Sequence, residues 1–326
     1  MYTNKSGFGG ICFYLGYLTM YDVICVGDVA VDDVYHVDRL PGADQKVHAR
    51  ALGWQLGGTT CNTAVALKVL GNHVLFVTLI GKDKEGKFIQ DQFKNLNIDF
   101  CPVQSDNIKT PTTQVLVANN GEKAILLFFS VEEMELSRDY FRDVQLVEGK
   151  LAFTTLSLPV YGALSEFKAP IVVSLEEPTL EHQPWAYTWA INHAHTLILD
   201  RCAYQRIYHE QPTPLSLSIG RNHGNIENLI VTMGSQGSIT YSRKEDKVIV
   251  TPTLDIRAVD TTGAGDIFNA SFIHSYYILK QPLEKSLQYA NTIAAFSCED
   301  QGTTLSYRAV QRAAYLLNNG KEVKQN

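Results

Sequence analysis

Asp260-Thr261-Thr262-Gly263-Ala264-Gly265-Asp266 is the stretch of this 326-residue chain whose residue types and spacing best suit chemistry. It follows two β-like pieces, Lys247 to Val250 and Ile256 to Val259, and opens an apolar helical run from Ile267 to Leu279. Small residues at a strand-to-helix junction leave backbone N–H groups free at a helix N-terminus, where the macrodipole favours an anion. With nothing larger than a methyl group at Gly263, Ala264 and Gly265, a phosphate can approach that backbone closely. Asp266 then stands at the mouth of an anion hole, where a carboxylate repels the ligand unless it has a task. Taking a proton from a hydroxyl is such a task, so the spacing suggests phosphoryl transfer to an alcohol. The plainer alternative is that Asp266 only caps the helix or complements its dipole. No Gly-Lys-Ser/Thr follows the glycines, so the stretch is not a Walker loop.

Such a site needs strands that end at it and helices that begin at it. Val23 to Ala30 reads as a short buried strand running into a glycine turn, with Asp32 and Asp33 just beyond its end. In open α/β sheets ligands bind outside the carboxyl ends of the strands, which places an acid there well for holding hydroxyls. Gly57-Gly58-Thr59-Thr60-Cys61-Asn62 leads into helix-like sequence that stops at Gly71-Asn72, again exposing amides at a helix start. Leu151 to Leu156, Ile171 to Leu175 and Thr196 to Leu199 read as further buried strands, each followed by polar or helical sequence. Asn228 to Thr232 is a strand entering a turn with Gly234 and Gly237, and Leu283 to Ala295 is a helix carrying Asn291. Two hairpin-like pairs interrupt the alternation, Tyr35 to Leu56 around Pro41-Gly42 and Gln114 to Phe129 around Asn120-Gly121. We expect them to form a small β lid over the ligand edge, which would keep water from a reactive phosphate.

Asp260-Thr-Thr-Gly-Ala-Gly-Asp266-x-Phe-Asn-Ala resembles the C-terminal signature of the ribokinase-like (PfkB) carbohydrate kinases. Gly57 to Ala64 with Val77 to Asp83 and Gly86 is similar to their N-terminal signature, and the likeness extends from Met20 to about Leu317. The resemblance implies an α/β fold, a three-layer αβα sandwich with a mostly parallel central sheet and a small β-sheet lid. It implies one kinase domain over 20–326, with lid segments over about 34–56 and 110–130. It gives Asp32, Gly58 and Asn62 to the acceptor sugar, Thr232, Gly234, Gly237 and Asn291 to ATP, and the amides of Gly263, Ala264 and Gly265 to the transferred phosphoryl group. Asp266 becomes the general base, an ordinary carboxylate of pKa ~3.9 being enough for a loose transition state. Backbone oxygens of Asp260 and Thr262, with the loop near Gly302, would hold an activating monovalent cation such as K⁺.

The chain departs from that pattern in places. Ala30 stands where the family often has Asn, and Thr59-Thr60 replaces the Lys-Gly of members that use ribose or phosphosugars. An Asn-x-x-Glu that helps hold Mg²⁺ is missing, leaving Asp200, or Glu176 and Glu177, to substitute. Lys123 stands where the family usually has Arg after the Gly-Glu of the lid. The resulting expectation is an ATP- and Mg²⁺-dependent kinase of a small free sugar or polyol. A nucleoside acceptor is the alternative within the same class, and a non-catalytic sugar or nucleotide sensor the alternative outside it.

Composition fits this reading. With 45% hydrophobic and 19% charged residues the chain is ordinary for a globular protein, and its length suits one large α/β domain or two smaller ones. A net charge of −6, spread without blocks, offers no nucleic-acid surface. Cys12, Cys25, Cys61, Cys101, Cys202 and Cys298 show no C-x-x-C spacing and read as reduced, buried thiols of a cytoplasmic protein. Lys5 and the apolar run Gly7 to Leu18 faintly resemble a signal peptide. They lack a small-x-small cleavage site and are too short and glycine-broken to span a bilayer. We expect residues 1–19 to be an upstream extension outside the fold, no membrane partner, and a homodimer paired through the free edges of the lid.

Overall fold

Val23–Val26, Val74–Gly81, Ile171–Leu175 and Asn228–Thr232 are rich in Val, Ile and Leu with almost every position buried, as strands covered by helices on both faces must be. The computed structural model describes residues 20–129, 140–142, 144, 146–218 and 224–319. Its strands are β1 (Val23–Val26), β2 (Ala30–Val37), β3 (Ala49–Gly57), β4 (Val74–Gly81), β5 (Asp99–Ser105), β6 (Thr112–Ala118) and β7 (Lys123–Phe128). They continue as β8 (Ala152–Thr154), β9 (Ile171–Leu175), β10 (Thr196–Asp200), β11 (Asn228–Thr232), β12 (Ser238–Ser242) and β13 (Lys247–Thr251). The helices are α1 (Thr59–Val69), α2 (Lys84–Asn95), α3 (Tyr161–Leu164), α4 (Glu177–His182) and α5 (Ala186–His193). After them come α6 (Arg201–Tyr208), α7 (Pro214–Ser218), α8 (Ala264–Phe272), α9 (Leu283–Ser297) and α10 (Tyr307–Asn319).

Nine strands form one sheet in the order β13-β12-β11-β10-β9-β8-β1-β4-β5. Pairing is parallel from β11 through β5, and the β12–β13 hairpin adds an antiparallel edge. Helices α1, α2, α8, α9 and α10 bury Leu67, Phe93, Phe272, Phe296 and Ala313 against one face. Helices α3 to α7 bury Leu164, Leu180, Ala190, Tyr204 and Leu217 against the other. This is the three-layer αβα sandwich expected from the sequence. The remaining strands make a second, four-stranded sheet in the order β3-β2-β6-β7. Both hairpins form there, and β2 pairs in parallel with β6 to join them.

Three local expectations are corrected. Ile256 to Val259 is not a strand, because the N–H groups of Val259 and Asp260 both donate to the Cys298 carbonyl, at 2.7 and 3.0 Å, instead of to a ladder. The helical run from Ile267 to Leu279 is split, α8 ending at Phe272 and a π-helical turn covering Ile273–Ile278. The cysteines are not uniformly buried thiols: Cys25, Cys61 and Cys298 are free and buried, Cys202 is free and exposed, and Cys101 is disulfide-bonded. Residues 1–19, Cys12 among them, lie outside the described residues. Among the described residues no helix is long and apolar enough to cross a membrane.

Packing of the β4–α2–β5 unit centres on Phe93, which is fully buried and stacks on Phe76 at 4.8 Å and on Phe100 at 4.5 Å between ring centroids. Removing that ring deletes buried apolar surface and leaves a cavity in a close-packed layer. Phe93→Ala should therefore cost about 3–5 kcal/mol of unfolding free energy in a chemical denaturation experiment. A loss below about 1 kcal/mol would show that the layer collapses around the gap.

Candidate active site

Strand order reverses at the β8–β1 pair: from β1 the chain moves outward to β4 and β5, and from β8 it moves the other way through β9, β10 and β11. A crevice opens at such a point, outside the carboxyl ends of the strands. Asp28, Thr155, Glu176, Asp200 and Thr232 follow or finish β1, β8, β9, β10 and β11 at that edge. Helices α1 and α8 also start there, and their first turns carry residues singled out from the sequence.

Gly263 caps α8 with φ 74°, a left-handed conformation suited to glycine, and a Cβ there would stand 3.1 Å from the Thr303 Cα. That turn sets Asp266 in the first turn of α8, 6% exposed. The Asn62 amide, one turn into α1, donates to Asp266 Oδ2 at 2.9 Å, and the Thr63 hydroxyl donates to its carbonyl at 3.4 Å. Burial, then the nearby Glu176 and Asp28 carboxylates, push the Asp266 carboxyl well above the usual carboxylate range, against one hydrogen bond from Asn62. The expectation of an ordinary carboxylate is thereby corrected: strand ends that are distant in sequence surround Asp266 with like charge.

The α1 side of the crevice is built around Asp28 and Asp32. Gly58 caps α1 with φ 99° and has no side chain for the task, so Asp28 supplies the cap from the β1–β2 turn. Its carboxylate accepts from the N–H groups of Thr59 and Thr60 at 2.8 and 3.2 Å, and from the hydroxyls of Thr60 and Thr155 at 2.6 and 2.9 Å. A Cβ on Gly58 would lie 2.9 Å from the Asp28 carbonyl oxygen, so this approach needs glycine. Asp32, on β2, accepts from the Thr113 hydroxyl of β6 at 2.7 Å; burial and then Asp28 raise its pKa. Asp28 was not singled out from the sequence, although the strand-end reasoning applied to Asp32 covers it equally.

On the other side of the glycine turn lies a cavity of about 570 Å³. Thr232, Gly234, Gly237, Ala264, Gly265 and Asn291 all line it, so these expected residues come together around one space. Asn291 does so without a free amide, since its Nδ2 donates to Ser238 Oγ at 2.9 Å and to the Thr251 carbonyl at 3.4 Å. That amide ties α9 to β12 and β13. Asp260 and Thr262 stand outside the cavity lining. Both Asp260 oxygens are engaged, Oδ1 by Lys123 Nζ at 2.7 Å and Thr262 N at 2.9 Å, and Oδ2 by Gly302 N at 2.9 Å. Burial alone would raise its pKa, but these donors, with Lys123 foremost, take it down to about 2.

The family model for the pfkB family carbohydrate kinase matches residues 20–309, most of the chain. The chain belongs to that family. It is 27% identical to the deoxyribokinase of Salmonella typhi, over 89% of this chain and 97% of the relative. It is 25% identical to the nucleoside kinase of Methanocaldococcus jannaschii, over 87% of this chain and 92% of the relative. The ribokinase structure from Giardia lamblia superposes with a TM-score of 0.73 at 19% identity, covering 93% of this chain and all of that one. As a member of this family the protein is a kinase that phosphorylates a sugar or a nucleoside with ATP.

Among the described residues, no group of three or more His, Cys, Asp or Glu side chains is arranged to hold a metal ion by itself. What this pfkB kinase offers a divalent cation is a pair of carboxylates facing the crevice. Asp200 caps α6 by accepting from Ala203 N at 2.5 Å, and burial raises its pKa. Burial, then Asp200 and Asp28, push the Glu176 carboxyl up to about 7. These oxygen donors fit a hydrated Mg²⁺ that draws its remaining ligands from phosphate and water. Lys123 Nζ holds the side-chain oxygens of Asp260 and Thr262, beside the backbone oxygens expected to hold a monovalent cation.

The raised pKa of Glu176 has a measurable sign. The folded carboxyl keeps its proton up to about pH 7, whereas the unfolded one releases it near 4.5. Glu176 therefore favours the fold fully below about pH 4.5, and this contribution is lost as pH rises through about 7. His195 and His274, held below 6.5 by burial, act in the opposite sense as pH falls, so the difference between variants is the readout. Glu176→Gln should stabilise the unliganded protein by on the order of 1–3 kcal/mol more at pH 8 than at pH 5, measured by thermal and urea unfolding. An unchanged difference across that range would remove Glu176 as a strained carboxylate.

Proposed function

We propose that the protein transfers the γ-phosphoryl group of ATP to a hydroxyl of a small free sugar of the ribose or fructose kind, with Asp266 as general base. The observation that carries this reading is the placement of Asp266. It sits between the cavity on the glycine-turn side and the Asn62–Asp28 corner on the other, bonded to the latter through Asn62. ATP lies in the cavity with its phosphates at the Gly263 to Gly265 amides, and Asp32, Gly58 and Asn62 hold the acceptor so that one hydroxyl faces the γ-phosphate in line. Asp266 takes that hydroxyl's proton as the loose transition state forms, and its raised pKa makes it a stronger base than a solvated Asp. The loop amides stabilise charge on the transferred group, each donor contributing roughly 3–4 kcal/mol. Glu176 and Asp200 would hold a hydrated Mg²⁺, which would supply positive charge to neutralise the phosphates.

A free sugar is favoured over a phosphorylated one by the charge of the acceptor side. Among the described residues, the donors bonded to the carboxylates of Asp28, Asp32 and Asp266 are all neutral, and Glu176 adds a fourth acid. A phosphate ester would meet like charge without a counter-ion, whereas hydroxyls find acceptors. The names of the relatives, a deoxyribokinase and a nucleoside kinase, support a pentose-sized acceptor. A coupled ATP-consumption assay across free sugars, sugar phosphates and ribosides tests this: free pentoses or hexoses should turn over best. Adenosine as the best acceptor would move the assignment to a nucleoside kinase, and no turnover with any of them would move it to a sensor. Asp266→Asn should fold, bind ATP and lose about 10²–10⁴ of kcat. Turnover within about tenfold of wild type would remove Asp266 as the base.

We infer a second copy of the chain on the lid. β7 is an edge strand of the small sheet, and Ile125, Leu126, Leu127 and Phe128 are 52–72% exposed in a row along it. Exposed apolar edges invite strand or sheet pairing with a like edge. Analytical ultracentrifugation should find a dimer that Leu127→Lys dissociates; a monomeric wild type at micromolar concentration contradicts it.

A further inference from the structure

The lid brings a charge to the phosphate loop. Lys123 is the first residue of β7, and the β6–β7 turn lies close enough to the segment entering the glycine turn that a Cβ on Gly121 would stand 3.9 Å from the Val259 carbonyl oxygen. From there the Lys123 ammonium donates to Asp260 Oδ1 at 2.7 Å and to the Thr262 hydroxyl. The pair is largely sheltered, with side chains 20% and 13% exposed. Asp260 is also where the loop after α9 meets the glycine turn, since its two oxygens accept from Gly302 N and Thr262 N. A half-buried carboxylate at the entrance of an anion-binding loop has the wrong sign for its task. Some cation must neutralise it, and the cation that does so here is covalently part of the lid.

We propose that the Lys123 ammonium supplies, at the mouth of the phosphate loop, the positive charge that the sequence reading gave to a monovalent cation. Lys123 is then a positioning residue, and the loop is electrostatically complete only with the lid down. A tethered charge acts at a local concentration of millimolar or more whatever the medium contains. Nucleotide affinity is accordingly indifferent to K⁺ in the wild type and becomes dependent on it when the ammonium is removed. The proposal rests on the nucleotide assignment of the cavity, and the test separates the two.

The test measures ADP binding to the full chain by calorimetry, in potassium chloride and in tetramethylammonium chloride of equal ionic strength. Tetramethylammonium is too large to occupy a lysine's place between two oxygens. Wild type should bind ADP with dissociation constants that agree within about twofold in the two salts. Lys123→Met should bind about tenfold more weakly in tetramethylammonium and regain several-fold in potassium. Lys123→Arg should behave like wild type. A wild type that needs potassium overturns the proposal, even where the Met variant fails to fold. So does a folded Met variant that binds ADP as wild type does, or one weakened equally in both salts, which would mark a merely mechanical tether. A wild type that binds no ADP in either salt would sink the nucleotide assignment together with the proposal.

Discussion

The hydrogen bond from the Asn62 amide to the Asp266 carboxylate is the contact on which the rest of this site depends. It joins the first turn of α1 to the first turn of α8, and so joins the two halves of the crevice. Both turns must be placed to within a few tenths of an ångström for it to form. Gly58 and Asp28 do that for α1, Gly263 and Asp260 for α8. The amide offers a donor without a charge, so the carboxylate is fixed in direction while its basicity stays raised by burial and by Glu176. An ammonium in place of Asn62 would hold Asp266 as firmly and make it a far weaker base.

The price of this arrangement is a crowd of acids at one sheet edge. Asp28, Asp32, Glu176, Asp200 and Asp266 come from five separate strands, turns or helix starts, and burial is the largest cause of the raised pKa values of Asp32, Glu176, Asp200 and Asp266. Asp28 accepts four hydrogen bonds while capping α1. Such a crevice is under strain when empty and relaxes when cations or hydroxyl donors enter it. Asp260 is managed in the opposite way, with a lysine and two backbone amides holding it ionised.

Much of this was legible in the sequence because the signals were local. The stretch from Asp260 to Asp266 announces an anion turn by its small residues, Asn120-Gly121 announces a hairpin, and short Val/Ile-rich runs announce buried parallel strands. What was not legible depends on contacts between distant segments. Nothing local in Ile256 to Val259 says that the Cys298 carbonyl will take its N–H groups. Nothing near Asn291 says that Ser238 and the Thr251 carbonyl will claim its amide. The basicity of Asp266 needs Glu176, ninety residues earlier in the chain, and the charge on Asp260 needs Lys123. Residue type reveals a carboxylate; only packing reveals its protonation.

The parallel pairing of β2 with β6 also bears on how the chain acquires its activity. Val31 to Val37 pairs with Thr112 to Ala118, and the chain between them includes α1, β4, α2 and β5. Neither half of the lid can find the other until that intervening unit has formed, because a non-local parallel ladder must close a long loop before it gains a single bond. The lid is therefore the late element on this side of the molecule. A half-folded chain that has built the cavity without the lid has no roof over it and no lysine at its glycine turn. Such an intermediate would be a poor ATPase, and the fold thereby ties the capacity to spend ATP to the completion of its own assembly.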